Sequence, residues 1–378
     1  MSDFLLNEVC ELIVDCPHTT ANDEGKGFPL VRTPNIGKGR LVYDGMHRVC
    51  EDVYNKRNAR AIPQENDLIF AREATAGNVA LIQKGEKVCL GQRTVLIRPN
   101  QEKVNPAFLT YFLLAPKQQY KLLSTANGAT VAHVNLPTIR NLKIDLPELP
   151  AQHRIASILS RYDSLIDNYQ KQIKLLEEAA QRLYKEWFVD LHFPGHENTK
   201  IVDGVPEGWE KKKVGYITPI KTGKKDANFG TPDGSYPFFT CSQEPIKAPS
   251  YSFDTNAVIL AGNGDFNVKL YRGKFEAYQR TYVLQPTNEK MLYLLYFCIS
   301  ENMNRLSTGA SGSTIKFLTK GMIESLIINE PSIVIINSFN QIVEPIRTQK
   351  ENLQNQIRLL TEARDRLLPK LMSGEITV

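Results

Sequence analysis

The sequence predicts an α+β fold: two mostly β domains, each followed by a long α-helix, with the two helices paired as an antiparallel coiled coil of pseudo-twofold symmetry. Two observations predict it. The first is internal repetition. Ile139–Trp187 aligns without a gap on Ile323–Leu371, at a constant offset of 184 residues. Leu142 meets Leu326, Ile144 meets Ile328, Pro147 meets Pro331, and the run Gln172–Leu183 meets Gln356–Leu367. A repeat this long means one structural unit used twice. The second is the spacing of apolar residues inside each copy. One runs Ile155, Leu159, Tyr162, Ile166, Tyr169, Ile173, Leu176, Ala180, Leu183, Trp187. The other runs Phe339, Val343, Ile346, Lys350, Leu353, Ile357, Leu360, Arg364, Leu367, Leu371, with Lys350 and Arg364 its only polar members. Steps that alternate four and three mark a coiled-coil seam rather than a generic core helix.

The elements divide the chain into five segments. Residues 1–147 form the first domain, with short β-type runs at Asp67–Ala71, Val79–Ile82, Arg93–Ile97 and Leu142–Leu146. Turn residues at Thr33–Asn35, Thr75–Asn78 and Ala126–Gly128 separate them. Pro106–Leu114 is predicted as a helix, capped by Asn105 with proline at its first position. Residues 148–189 form the first spacer helix and 190–206 a linker. Residues 207–331 form the second domain, which repeats the plan loosely. Phe28-Pro29-Leu30 resembles Tyr236-Pro237-Phe238, Gln92-Arg93-Thr94 reappears as Gln279-Arg280-Thr281, and Gly128-Ala129-Thr130 is matched by Gly309-Ala310-Ser311. Asn288–Ile299 is the equivalent helix. Residues 332–373 form the second spacer helix. Pro147, Pro150 and Pro331 stand ahead of the helix starts, and Gly195 and Gly374 beyond the ends. About 38 residues of helix make a rod of about 57 Å. Each helix follows its domain in the same way, so twofold pairing makes the helices antiparallel. Ile166, Ile173, Leu176, Leu183, Leu353, Ile357, Leu360 and Leu367 are placed in the seam.

Composition is that of a soluble globular protein, with 42% hydrophobic and 23% charged residues. The net charge of +5 is compatible with a polyanionic partner without demanding one. Six scattered cysteines without a C-x-x-C pair fit a reducing compartment rather than disulfides or a zinc cage. The amino-terminal residues lack a signal-peptide pattern, and the longest apolar run, Leu292–Ile299, is too short to span a bilayer. A cytoplasmic protein with no membrane role is expected.

No catalytic or metal motif emerges. Gly37-Lys38-Gly39 lacks the spacing of a P-loop, and Gly262-Asn263-Gly264-Asp265 reads as a turn. No Asn/Asp-Pro-Pro-aromatic run of an amino-methyltransferase is present. His192 and His196 are four apart, but Pro194 and Gly195 forbid the helix that would aim both at one metal. There is no nucleophile elbow. Basic residues are more informative. The first domain carries Arg32, Lys38, Arg40, Arg48, Lys56, Arg57 and Arg60; the second carries Lys211–Lys213, Lys221, Lys224 and Lys225. Such clusters suit phosphate contacts, and an arginine fork suits guanine. One basic loop set on each of two related domains makes Arg32, Lys38, Arg40, Lys221, Lys224 and Lys225 the candidate DNA contacts.

The order domain, helix, domain, helix resembles the specificity subunit of a type I restriction-modification enzyme. Leu146-Pro147-Glu148-Leu149-Pro150-Ala151-Gln152-His153-Arg154-Ile155 is similar to that family's L-P-P-L-x-E-Q-x-x-I at the helix start. Val205–Glu210 resembles its P-x-G-W opening, and Gly312–Leu318 its G-S-T-x-x-x-L turn. Glu148, Ala151 and Ser332–Ile336 depart from the pattern. The resemblance implies two target recognition domains, each reading one half of a bipartite, asymmetric double-stranded DNA sequence. It implies helices that act as a ruler and dock two modification (methyltransferase) subunits, together with restriction (helicase-nuclease) subunits. S-adenosylmethionine, ATP and Mg2+ then belong to those partners, and this chain is a non-catalytic subunit with no cofactor of its own. The specificity component of a modification-only or type IIB-like system would share these features. A coiled-coil protein-binding scaffold would show no salt-dependent DNA affinity, and an enzyme with a cryptic nuclease or methyltransferase site would bind S-adenosylmethionine or metal by itself.

Overall fold

A computed structural model describes residues 2–124, 133–310, 312 and 316–378. The expected turn at Ala126–Gly128, the Gly128-Ala129-Thr130 match and part of the Gly312–Leu318 turn lie outside the described residues. The chain forms two compact units, Met1–Gln170 with Asn355–Val378, and Lys171–Gln354.

In the first unit, β1 (Ser2–Leu5) pairs antiparallel with a strand far along the chain, β9 (Lys143–Leu146). Between them come β2 (Cys10–Asp15), β3 (Phe28–Val31), β4 (His47–Val49), helix α1 (Glu51–Arg57), β5 (Leu68–Ala71), β6 (Val79–Leu81), β7 (Cys89–Leu90) and β8 (Thr94–Pro99). They build one sheet in the order β2-β8-β5-β6 and a second in the order β4-β3-β7. Strand alternation splits the core. Leu68, Phe70, Val95 and Ile97 pack toward α2 (Pro106–Leu114), whereas Ile69, Ala71 and Leu96 face Val31 and Ile36 on the other side. Asn105 caps α2 as the sequence predicts, its side chain accepting from Phe108 N at 2.9 Å. Helices α3 (Pro116–Ser124) and α4 (Leu136–Arg140) follow.

The long helix α5 (Leu149–Tyr184) starts before Pro150. Pro150 therefore lies in its first turn, where a missing N–H costs nothing. In this unit α5 packs against the end of the last helix, α10 (Ile333–Ser373). Ile155, Ala156 and Leu159 share a core cluster with Leu371, and further along Arg364 Nη1 meets Asp163 Oδ1 at 2.6 Å, so the helices run antiparallel.

The second unit contains β10 (Ile201–Val202), β11 (Val205–Pro206), β12 (Glu210–Lys213), α6 (Val214–Ile217), β13 (Ile220–Thr222), β14 (Tyr236–Phe239), β15 (Ile246–Ala248), β16 (Phe253–Ala261), β17 (Val268–Ala277), β18 (Thr281–Leu284) and β19 (Ile327–Glu330). The β12–β19 pair answers β1–β9, and β13-β18-β16-β17 answers β2-β8-β5-β6. Here β17 is one ten-residue strand that also carries β14 in parallel, so a single six-stranded sheet replaces the two separate sheets. Helix α7 (Leu292–Glu301) is preceded by a 3-10 turn at Glu289–Met291, with Asn288 as its cap, rather than continuing back to Asn288. Helices α8 (Met303–Thr308) and α9 (Lys320–Glu324) follow. The 184-residue offset persists in the elements: α4 and α9, β9 and β19, and α5 and α10 start at matching positions.

In this unit Phe188 and Trp187, in a π turn at Lys185–Val189, pack on Phe339 of α10 with ring centroids 4.9 and 5.9 Å apart. Lys350 Nζ meets Glu177 Oε1 at 2.5 Å. The two polar interruptions of the second seam, Lys350 and Arg364, thus each find a carboxylate on α5. Of the expected seam residues, Ile166 and Leu353 are buried, while Ile173, Leu176, Leu183, Ile357, Leu360 and Leu367 are half-buried. Gly374 follows α10 at φ +76°, the left-handed C-terminal position. Gly195 also lies beyond its helix, which ends in the π turn followed by Leu191 at φ +62°. The segment expected as a linker is packed: Phe193 and Val205 are buried in the cluster that holds Trp209.

Candidate nucleic-acid interface

A tight turn precedes β8 in the first unit and β18 in the second, and carries the repeated Gln-Arg-Thr. Three backbone hydrogen bonds of the turn recur in both, although Arg93 takes a left-handed φ of +66° and Arg280 does not. In the first, Arg72 N donates to Arg93 O (2.9 Å), Val134 N to Arg72 O (3.0 Å) and Gly91 N to Val31 O (2.8 Å). In the second, Gly262 N donates to Arg280 O (2.9 Å), Leu318 N to Gly262 O (2.8 Å) and Tyr278 N to Phe239 O (3.0 Å).

The side chains on that frame differ. In the first unit Arg72 is buried, its Nε donating to Val134 O (2.9 Å) and its Nη2 lying 2.8 Å from His133 Nε2. Glu73 accepts from both His133 and Arg93, so the exposed arginine of the turn is neutralised within the domain. Burial, then Arg72 and Arg93, hold the His133 imidazole below its usual range, which keeps it neutral at pH 7. In the second unit Gly262, Asn263 and Phe317 occupy the places of Arg72, Glu73 and His133. Tyr282 takes over the hydrogen bond, its hydroxyl donating to Leu318 O (2.8 Å). The Tyr282 ring and Arg280 O leave no room for a Cβ at Gly262, 2.9 and 2.3 Å from where one would stand. A polar cavity of about 300 Å3 remains, lined by Gly262, Gln279, Arg280, Tyr282, Phe317 and Leu318. Arg280 is exposed and makes no ion pair or side-chain hydrogen bond among the described residues.

The basic residues singled out from sequence divide by location. Lys224 and Lys225 border this turn: Gln279 N donates to Lys225 O (2.9 Å), and Gly223 N to Thr281 O (3.2 Å). Gly223 is required there, because a Cβ would stand 1.9 Å from Ala277 O. Lys224 is exposed, and the Lys225 ammonium lies 4.4 Å from the centre of the Phe229 ring. Lys221 projects from the exposed part of β13. In the first unit Arg32 stands beside Gly91, with Nη2 donating to Gly45 O (3.1 Å). Lys38 is exposed in its Gly-Lys-Gly turn, whose Gly39 lies beside α5: a Cβ there would stand 3.8 Å from Asp163 Oδ2. Arg40 turns onto α5 as well, ion-paired with Asp167 and donating to Gln170 Oε1 at 3.2 Å.

Other members of the sequence clusters are structural. Arg57 is buried, donating to Leu90 O (2.7 Å) and Thr19 O (2.8 Å), and Arg60 pairs with Asp15. Lys211–Lys213 form β12 rather than a loop, where Glu330 and Glu210 push the Lys212 ammonium up to about 12. Arg280 and Arg93 escaped the sequence reading because the Gln-Arg-Thr repeat served there only to align scaffolds. Among the described residues no group of three or more His, Cys, Asp or Glu side chains could hold a metal, and no helix is long and apolar enough to cross a membrane. The His192 and His196 rings lie 5.2 Å apart between centroids with their planes tilted by 47°, and His196 Nδ1 lies 2.9 Å from Phe193 O.

The profile of the type I restriction modification DNA specificity domain matches residues 1–178 and 206–358. The type I restriction enzyme EcoDI specificity subunit of Escherichia coli is 37% identical over 177 residues, which are 46% of this chain and 40% of that subunit. The MjaIX specificity subunit of Methanocaldococcus jannaschii is 25% identical over 384 residues, covering 94% of this chain and 88% of its own. Among solved structures, the type I restriction-modification S subunit from M. genitalium superposes with a TM-score of 0.59 at 16% identity, covering 98% of this chain and 95% of that one. That likeness concerns the fold.

Proposed function

The chain belongs to the family of type I restriction-modification DNA specificity domains, and from that premise we propose that it reads a bipartite, asymmetric DNA target for a type I restriction-modification complex. It is the DNA-recognition component and assembles with the other subunits of such a system. Residues 1–147 and 207–331 are the two target recognition domains, each reading one half-site, and residues 148–189 and 332–373 are the spacer helices. Two modification subunits dock on the helices and bring S-adenosylmethionine. Restriction subunits bring ATP and Mg2+.

The observation that supports this best is the pair of turns described above. One backbone frame is built twice and dressed with different side chains. An identical pair would suit a palindrome; this pair suits two unlike half-sites. Arg32, Lys221, Lys224 and Lys225 then face phosphate or base, whereas Arg40 fixes its domain to α5. Lys38 is exposed in the turn next to that contact.

The test uses the chain in complex with its modification subunits and maps the methylated bases. The expected result is two unlike half-sites separated by a fixed spacer. Lengthening both helices by seven residues, about 10 Å, keeps the 3.5-residue seam. It should change the spacer and leave the bases of each half-site unaltered. A continuous or symmetric target, or a spacer indifferent to helix length, would overturn the proposal.

A further inference from the structure

We propose that the cavity beside Gly262 is the guanine-reading site of the second domain, with Arg280 as the side chain that reads it. The inference rests on the family function stated above and adds a residue, a place and a base.

Three observations carry it. First, the hydrogen bonds that anchor the turn recur in both domains, whereas the backbone at the arginine itself does not: Arg93 is left-handed at φ +66° and Arg280 is not, so the second domain presents its arginine in its own way. Second, the first domain neutralises its arginine: Glu73 pairs with Arg93, and Arg72 and His133 fill the space behind. The second domain has removed each of these groups, with Gly262 for Arg72, Asn263 for Glu73 and Phe317 for His133. What is left is an exposed guanidinium without an ion pair among the described residues, at the mouth of a recess of about 300 Å3. That is the small end of the range for ligand pockets, suited to one base edge rather than to a nucleotide. Third, the turn is tied to the lysine loop. Gln279 N donates to Lys225 O (2.9 Å) and Gln279 Nε2 to Asp226 Oδ1 (2.7 Å), which places Lys224 and Lys225 beside Arg280.

The chemistry follows. Lysine ammoniums are point charges that fit phosphates, whereas the planar guanidinium fork matches the O6 and N7 acceptors of guanine in the major groove. The two side chains at the recess that are aromatic, Tyr282 and the partly exposed Phe317, present apolar edges that suit a base better than a hydrated phosphate. The lysines therefore hold the backbone and Arg280 reads the base, the division of labour that gives register and specificity separately.

The test uses the assembled complex with its modification subunits. Duplexes carry 7-deazaguanine, which lacks the N7 acceptor, in place of each guanine of the second half-site in turn. For the unaltered chain, one position should lower affinity by roughly 5- to 150-fold, the span of a bidentate arginine–guanine contact. Arg280→Ala should lose affinity by a similar factor and become indifferent to that one replacement. Asn263→Glu restores the carboxylate of the first domain without touching Arg280. It should produce the same indifference, which guards against misfolding of a single variant. If Arg280→Ala weakens binding to all sequences alike and lowers the salt slope by about one, Arg280 is a phosphate contact and the proposal fails. It also fails if every guanine retains its effect in both variants. A complex that shows no sequence preference even with the unaltered chain overturns the proposed function as well.

Discussion

The carbonyl oxygens of Val134 and Leu318 occupy the same place in the two domains, and each is met by a side-chain donor from a different strand. In the first domain the donor is Arg72, just past β5; in the second it is Tyr282, on β18. The bond survives while its source moves. This teaches that the frame must satisfy that carbonyl but leaves the choice of donor free, and the choice decides whether the neighbouring space is filled or open. Where the donor is Arg72, its guanidinium occupies the space behind the turn. Where it is Tyr282, the opposite position must be glycine and a recess appears. A structural requirement met in two ways produces two different surfaces.

The clamps that hold each domain on its helices show the same economy. In the first unit Arg40 and Tyr111 reach Asp167 and Asp163 of α5, with Tyr111 Oη 2.5 Å from Asp163 Oδ2. In the second, Arg272 forms two bonds to Glu344 of α10, at 2.8 and 2.9 Å, and Tyr293 Oη donates to the same carboxylate at 2.6 Å. An arginine, a tyrosine and a helix carboxylate recur, but not at matching positions along the repeat.

The largest effects should come from the apolar positions that do match. Phe339 and Ile155 lie 184 residues apart, both buried at the start of a spacer helix. Phe339→Ala empties a site ringed by Trp187, Phe188 and Phe297 and should cost about 3–5 kcal/mol. Ile155→Ala should cost about 2–5 kcal/mol. Urea unfolding of both variants checks the pair; if either costs less than about 1 kcal/mol, the two helix starts are not equivalent supports. Leu176→Ala, at a half-buried seam position, should cost less than Leu353→Ala, where the side chain is 2% exposed.

Next come the donors. Tyr282→Phe leaves Leu318 O without its side-chain partner and should cost about 1 kcal/mol. Arg72→Ala removes packing as well as a charge-assisted bond, so it should cost more, about 2–3 kcal/mol. Equal losses in thermal melts would mean that Arg72 contributes no more than its one bond to Val134 O, and that its packing and charge count for nothing.

Much of this plan is legible in the sequence, for particular reasons. The helices announce themselves because a 3.5-residue seam needs apolar side chains at fixed intervals, and the few exceptions, Lys350 and Arg364, prove to be paired across the helices. The cap at Asn105 and the proline at Pro106 are local and are read locally. The clamps and turns are not. Arg40 looks like any loop arginine until β folding brings it to Asp167, more than a hundred residues away in the chain. Arg57 is indistinguishable from a solvated cation until Leu90 O and Thr19 O are seen beside it. The recess at Gly262 is invisible for a further reason: it is made by what is missing, and only superposing one domain's hydrogen bonds on the other's reveals it.

The clamp in the second unit should also respond to acid. Arg272, and then Tyr293, hold the Glu344 carboxyl below its usual range, against burial that raises it. A depressed carboxyl contributes stability above its unfolded value, near pH 4.5, and loses it as pH falls through the lower folded value. Because Glu344 is half exposed, the contribution should be about 1 kcal/mol or less. Glu344→Gln should lower the melting temperature slightly at pH 6 and narrow its distance from the unaltered chain toward pH 3. A constant difference across that span would assign the loss to packing instead of charge.

The smallest expected change in stability carries the sharpest comparison. Glu73→Asn gives the first domain the residue that the second domain has at Asn263. Glu73 pairs with an Arg93 that is about half exposed, so the lost ion pair should cost about 1 kcal/mol or less. Its partner His133 is held neutral by burial and by the flanking arginines, so little further charge is stranded. What changes is Arg93, released at the position of the turn that matches Arg280 but on a left-handed backbone and with Arg72 still filling the space behind it. If an unpaired arginine suffices to read a base, methylation mapping should show a new preference for guanine at one position of the first half-site. If the open recess is needed as well, affinity should rise for all sequences with no new preference, the mark of a free cation against phosphate. Either result ranks charge release against shape at this turn, and a target and affinity that do not change would remove Arg93 from the interface altogether.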